Sequence, residues 1–192
     1  MAQQGLKEMP VKKSASKSEA PGPKTTTIKR MYQTRIALSP DTKEKVVEVM
    51  QERLAEALDM YSQAKFAHWN VKGDNFYQLH LVFDKVAETV FPQIDAIAER
   101  LTQLGGVANG TVRQAAMVSK IPEYKVELIN GMDHVTALAD ALGHYCEELR
   151  EASDKIDEIG DEPTSDFFKQ LVVEAEEVLY FLESHLEAGD VQ

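Results

Sequence analysis

The stretch from Leu128 to Gly160, LINGMDHVTALADALGHYCEELREASDKIDEIG, decides the fold. In it Leu128, Met132, Val135, Leu138, Leu142, Tyr145, Leu149, Ala152, Ile156 and Ile159 recur at intervals of three and four. That spacing draws one apolar stripe along an α-helix and leaves the charges on the other side. Working outward, Gly160-Asp161-Glu162-Pro163-Thr164 reads as a turn. A following helix then carries Phe168, Leu171, Ala175, Val178, Leu182 and Leu186 on one stripe.

Upstream, Ser39-Pro40 followed by Asp41 and Glu44 has the chemistry of a helix start, with proline in the first turn and acids at the positive dipole end. Val46, Val47, Met50, Leu54, Ala57, Leu58, Tyr61 and Ala64 continue this first helix to about Val71. Gly73-Asp74-Asn75 interrupts it. A second helix runs from about Phe76 to Leu104, bearing Leu79, Phe83, Val86, Val90, Ile94, Ile97 and Leu101 and closing at Gly105-Gly106. Pro92 inside it removes one backbone donor and predicts a bend. Residues 107–124 are irregular, with a short helix expected within Thr111–Lys120. Four long amphipathic helices with a long connection between the second and third describe an all-α four-helix bundle with a crossover.

Composition agrees with one such domain plus a tail: 192 residues with only 7 Pro and 10 Gly. The single cysteine, Cys146, excludes an intrachain disulfide framework and reads as a small core residue in a reducing compartment. Neither a secretory signal nor an apolar run of the roughly 20 residues that span a bilayer is present, so the expected location is cytoplasmic. The net charge of −11 conceals an asymmetry. Residues 1–36 hold Lys7, Lys12, Lys13, Lys17, Lys24, Lys29, Arg30 and Arg35 against Glu8 and Glu19, about +6, which leaves about −17 on the remainder. The expected layout is a flexible basic tail over 1–38, the bundle over 39–188 and a short C-terminal end over 189–192.

No Gly-x-Ser-x-Gly and no phosphate-cradling glycine loop is present. The chemistry-bearing residues collect elsewhere, as His68, His80, Asp84, Asp95 and Glu99. Imidazole with carboxylate suits ferrous iron and zinc. His80 and Asp84 share a helix face, as do Asp95 and Glu99. Yet His80 and Asp95 stand about 22 Å apart along a straight helix, at 1.5 Å per residue, whereas metal–ligand bonds are about 2 Å long. One helix cannot bring both ends to one ion. An identical helix packed antiparallel about a two-fold axis would set His80 and Asp84 of one chain opposite Asp95 and Glu99 of the other, giving two equivalent sites per dimer. No Glu-x-x-His, the motif by which ordinary di-iron bundles build an intrachain site, occurs anywhere in the sequence.

His68-Trp69-Asn70-Val71-Lys72-Gly73, Phe76, Leu79-His80, Asp84, Asp95, Ala98-Glu99-Arg100-Leu101 and Leu104-Gly105-Gly106 resemble the signature of the DNA-protection-during-starvation (Dps) mini-ferritins. Asp161-Glu162-Pro163-Thr164-Ser165-Asp166 and Phe181-Leu182-Glu183-Ser184-His185 look like that family's closing segment, so the resemblance covers about residues 40–188. It implies a ferritin-like fold assembled into a hollow dodecameric shell. At the dimer interface a ferroxidase centre would take His68, His80 and Asp84 from one subunit and Asp95 and Glu99 from the other, with Trp69 beside it. Iron, with zinc as a competitor or occupant, would be the metal and hydrogen peroxide the oxidant. The resemblance also points to Asp157, Asp161 and Glu162 as lining an iron-entry pore. The family often places acids just after the second histidine to nucleate mineral; Leu81 and Val82 stand there instead, leaving Glu88 as the candidate.

Three readings remain open from the sequence: an iron-oxidising storage shell that protects DNA, a nucleoid-binding protein acting through Lys7, Lys12, Lys13, Lys17, Lys24, Lys29 and Arg30, and a zinc-binding structural shell. All three are homo-oligomers without membrane contact.

Overall fold

The computed structural model of the chain describes residues 26–187, and the remaining expectations for the tail and the C-terminal end lie outside them. The elements are α1 (Pro40–Asn70), α2 (Phe76–Gln103), α3 (Val112–Val118), α4 (Gly131–Ile159) and α5 (Glu162–Glu187). Among the described residues the only β-type pairing is an isolated bridge between Lys72 and Asn130.

Three of the helix starts are closed by a side-chain cap of their own, whereas Asn75 ahead of α2 makes no such bond. The Ser39 hydroxyl accepts from the Thr42 N–H ahead of Pro40, Thr111 and Gln114 form a reciprocal capping box, and the Asn130 side chain accepts from the Met132 N–H. This last cap corrects the sequence reading, which began the third long helix at Leu128. The chain from Leu128 to Asn130 is drawn instead into a bridge, where the Lys72 N–H donates to the Ile129 carbonyl. Gly160 ends α4 at φ 98°, a left-handed conformation that a side chain would strain. Pro92 lies inside α2, which continues through it to Gln103.

The Lys72–Asn130 bridge places the start of α4 beside the α1–α2 turn, so the crossover of residues 104–130 travels back along the bundle. α2 and α4 therefore run in the same direction, opposite to α1 and α5. α1 packs chiefly on α2 and α4 on α5, and these two hairpins meet through α1–α4 and α2–α5. Met50, Leu54 and Met60 of α1, Phe83, Ile97 and Leu101 of α2, Leu138, Leu142 and Tyr145 of α4, and Phe168 and Leu182 of α5 are fully enclosed. Each contributes on the order of 1.5–3 kcal/mol of burial. Cys146 is a free, buried thiol that burial pushes up to about 12, which keeps it protonated and inert.

Residues 26–38, counted with the tail in the sequence reading, lie extended against the body. Ile28 exchanges two hydrogen bonds with the Asn109 side chain, Tyr32 N–H donates to the Gly105 carbonyl, and the Lys43 ammonium donates to Thr34. Ile36 and Leu38 pack against the core. The strap passes so near Gly105, itself at φ 101°, that a Cβ there would collide with the Tyr32 carbonyl oxygen.

Two buried polar groups cross the core. Tyr145 OH donates to Gln93 Oε1 at 3.0 Å, and Gln93 Nε2 donates to the Leu171 carbonyl at 3.1 Å, tying α4, α2 and α5 together. Between α1 and α4, the Arg53 guanidinium holds Glu56 at 2.7 Å and also pairs with Glu148. Tyr145→Phe leaves Gln93 Oε1 buried without its donor, so a loss of about 1–2 kcal/mol is expected in thermal or urea unfolding. Combining it with Gln93→Leu should cost less than the two single changes added together. Glu56 is wholly buried, and desolvation outweighs Arg53, raising its carboxyl from the ordinary 4.5 to about 7. A carboxyl raised on folding costs stability as it ionises, so stability falls as pH rises from 4.5 through about 7. Glu56→Gln should flatten that slope, worth up to about 3 kcal/mol, in calorimetric scans from pH 4 to 8.

Candidate metal centre

The α1–α2 turn brings two histidines together across a short loop. His68 lies in the last turn of α1 and His80 one turn into α2. His68 Nδ1 is 2.8 Å from the His80 carbonyl oxygen, and His80 Nδ1 is 2.8 Å from the His68 carbonyl oxygen. A carbonyl only accepts, so each Nδ1 carries the proton and donates. In that tautomer the lone pair is on Nε2, the nitrogen available to a metal. The rings stack at 3.7 Å with 21° between their planes, and both side chains are partly buried. This reciprocal lock fixes the orientation of both rings, the role that a hydrogen bond at the other nitrogen plays for a metal-binding histidine.

Asp84 follows one turn beyond His80. Its Oδ1 lies 2.6 Å from the Lys65 ammonium and 3.8 Å from His68 Nδ1. The Lys65 hydrogen bond, with help from the neighbouring histidines, holds the Asp84 carboxyl below its usual range. His68, His80 and Asp84 thus form one cluster. Asp95 and Glu99 do not join it; both are exposed, farther along α2. Asp84 and Asp95 are separated by about 16 Å of helix at 1.5 Å per residue. Among the described residues of a single chain, no three His, Cys, Asp or Glu side chains are grouped so as to hold a metal ion.

Asp84 nevertheless shares one outward stripe of α2 with Asp95 and Glu99, which runs Tyr77, Leu81, Asp84, Glu88, Phe91, Asp95 and Glu99. On it Tyr77 is 66%, Leu81 49% and Phe91 61% exposed. Large apolar side chains interleaved with acids mark a face suited to cover by another surface. Trp69 is also exposed, with the Lys65 ammonium 6.0 Å from its ring centroid. Leu81 and the half-buried Val82 bring no carboxylate near His80, while Glu88 is exposed one turn beyond Asp84.

At the α4–α5 turn, Asp157 and Glu162 are exposed, as a pore lining requires. Asp161 is not: it is 2% exposed, accepts from Thr164 at the head of α5 and pairs with Arg100 at 3.5 Å. Its carboxylate is committed within the chain as a cap, which corrects its assignment to the pore. Of the tail cations, Lys29 and Arg30 belong to the strap, where Lys29 reaches Glu48 at 3.4 Å and Arg30 donates to Tyr32 OH. Lys7, Lys12, Lys13, Lys17 and Lys24 lie outside the described residues. Lys65 went unremarked in the sequence, although its place one turn before His68 on α1 was a visible signal.

Residues 47–190 match the model of the ferritin-like domain family. The chain is 32% identical over 158 residues to the DNA protection during starvation protein of Agrobacterium fabrum, covering 82% of this chain and 98% of that protein. It is 30% identical over 155 residues to the protein of the same name from Halobacterium salinarum, covering 79% and 84%. Among solved structures, DpsC from Streptomyces coelicolor matches with a TM-score of 0.77 at 30% identity, covering 81% of this chain and 91% of that one. The tetragonal form of Mycobacterium smegmatis Dps matches with a TM-score of 0.77 at 27% identity, covering 82% and 94%. With the ferritin-like model spanning most of the chain and these relatives matched nearly end to end, the protein belongs to the DNA-protection-during-starvation (Dps) family of ferritin-like proteins.

Proposed function

We propose that the protein is a ferroxidase and iron store, an assembly of identical chains that oxidises ferrous iron at sites shared across a two-fold interface. The single observation that carries this reading is the half-complete centre: the mutually locked imidazoles of His68 and His80 with Asp84 at the start of α2, and two exposed acids toward its far end. One antiparallel register completes it. The pairing that sets His80 opposite Glu99 of a second copy also sets Asp84 opposite Asp95, with the axis passing between Thr89 and Val90. The same register covers the exposed Tyr77, Leu81 and Phe91.

Ferrous iron is the substrate. The two imidazole Nε2 atoms and the carboxylates of Asp84, Asp95 and Glu99 form a mixed nitrogen and oxygen set, and the hard oxygens favour the ferric product. Two ferrous ions give one electron each to hydrogen peroxide, whose O–O bond breaks to leave two hydroxides. Removing both electrons together avoids the one-electron cleavage that releases hydroxyl radical, and so would protect DNA. The finer assembly is a dodecameric shell enclosing ferric mineral, with Asp157 and Glu162 admitting iron. Zinc competes for the same ligands. DNA contact would fall to the Lys-rich segment ahead of the strap, acting non-specifically and multivalently.

Asp95→Ala with Glu99→Ala should lower peroxide-dependent iron oxidation, followed by ferric absorbance, at least 100-fold while size-exclusion chromatography still reports the assembly. Full activity in that double variant would refute the site. A sharper check mixes it with His68→Ala plus His80→Ala during reassembly. Neither variant alone oxidises iron quickly, but random pairing rebuilds about one site in four, because half the dimers are mixed and each mixed dimer holds one intact site. Recovery of about a quarter of wild-type activity identifies an intersubunit centre; no recovery in the mixed assemblies excludes it.

A further inference from the structure

Lys65 stands where a metal would have to arrive. It lies on α1 one turn before His68, and its ammonium sits 2.6 Å from Asp84 Oδ1 with only 19% of the side chain exposed. A divalent ion bound to the same oxygen at about 2 Å would face that ammonium at contact distance, and like charges so close in a partly enclosed site repel strongly. Metal and ammonium therefore exclude one another at Asp84. A second seat for the ammonium is at hand. The Trp69 ring, four residues on along α1, has its centroid 6.0 Å from Lys65 Nζ, within cation–π range, and is 64% exposed.

We propose that Lys65 is a placeholder cation: it neutralises Asp84 until a divalent metal displaces it onto the face of Trp69, and this competition sets the affinity of the centre. The proposal rests on the metal-centre reading given above. A tethered ammonium matches a monovalent ion in charge and surpasses it in local concentration, so monovalent cations lose the contest and a divalent ion wins it. The device also gives the half-buried Asp84 carboxylate, beside two imidazoles, a partner charge before metal arrives. Lys65 is thus a specificity-determining residue and contributes no ligand.

Zinc is the suitable probe, because it binds the same ligand types without redox chemistry. Trp69 is the only tryptophan in the chain, so its emission reports on one ring. Zinc titrated into the assembled full-length protein should change that emission saturably. In Lys65→Met, zinc affinity measured by competition with a chelating dye should rise about tenfold, and the emission change should fall to less than half. Lys65→Arg, which keeps the charge, should bind zinc no more tightly than the wild type. If Asp84→Asn abolishes zinc binding while Lys65→Met leaves affinity and emission at wild-type values, the placeholder is overturned and the centre stands. If zinc binds undiminished in both Asp84→Asn and Asp95→Ala with Glu99→Ala, the centre itself is overturned and the placeholder falls with it. Tighter binding by Lys65→Met without any emission change in the wild type would overturn the move onto Trp69.

Discussion

A helix fixes the distances between its own residues, and that rigidity keeps the candidate ligands of α2 in two separate groups. α2 carries two ligand groups that cannot approach one another, because hydrogen-bonded backbone holds Asp84 and Asp95 about three turns apart. Everything around α2 serves to keep it in that state. Phe83, Val86, Val90, Ile97 and Leu101 are buried beneath it against the other helices. The opposite stripe, with its acids and its exposed Tyr77, Leu81 and Phe91, is left uncovered. The hydrophobic effect thus orients the helix, and the orientation decides that Asp84, Asp95 and Glu99 face outward instead of inward toward the bundle axis.

The bundle interior has its own acids, but they are already matched. Glu56 and Glu148 surround the Arg53 guanidinium, a permanent cation whose planar fork suits two carboxylates. Glu174 accepts from Gln93, itself held by Tyr145. Ferritin-like di-iron bundles build their site inside from glutamates and a Glu-x-x-His motif. Here the inner carboxylates answer to an arginine and an amide. The division is consistent: inside the bundle acids meet protein donors, while on the α2 stripe Asp95 and Glu99 stand exposed.

Much of this was legible in the residues. Apolar spacing announced the four long helices, Ser39-Pro40 announced the first cap, and the interval from His80 to Asp95 announced that these two side chains do not meet within one chain. What escaped had physical reasons. Helix periodicity registers Leu128 as part of a stripe but cannot see that Asn130 will cap the helix two residues later. Composition marks residues 26–38 as tail-like because their side chains bury little; their attachment is mostly through backbone and Asn109, which composition does not weigh. Asp161 looks like any acid in a turn, and only the fold reveals Arg100 and Thr164 waiting for it. The contact of Lys65 with Asp84 joins residues 19 positions apart, beyond the reach of any single-helix rule.

The strap across the crossover has a bearing on geometry at a larger scale. By stitching Ile28 to Asn109 and laying Tyr32 over Gly105, the chain moves the root of whatever precedes Thr26 away from the head of α1. Gln114 in α3 takes the Thr26 carbonyl and fixes that root beside the crossover helix. The glycine that lets the strap pass so close thereby helps to decide where the chain first meets the body, beside the crossover and away from the head of α1.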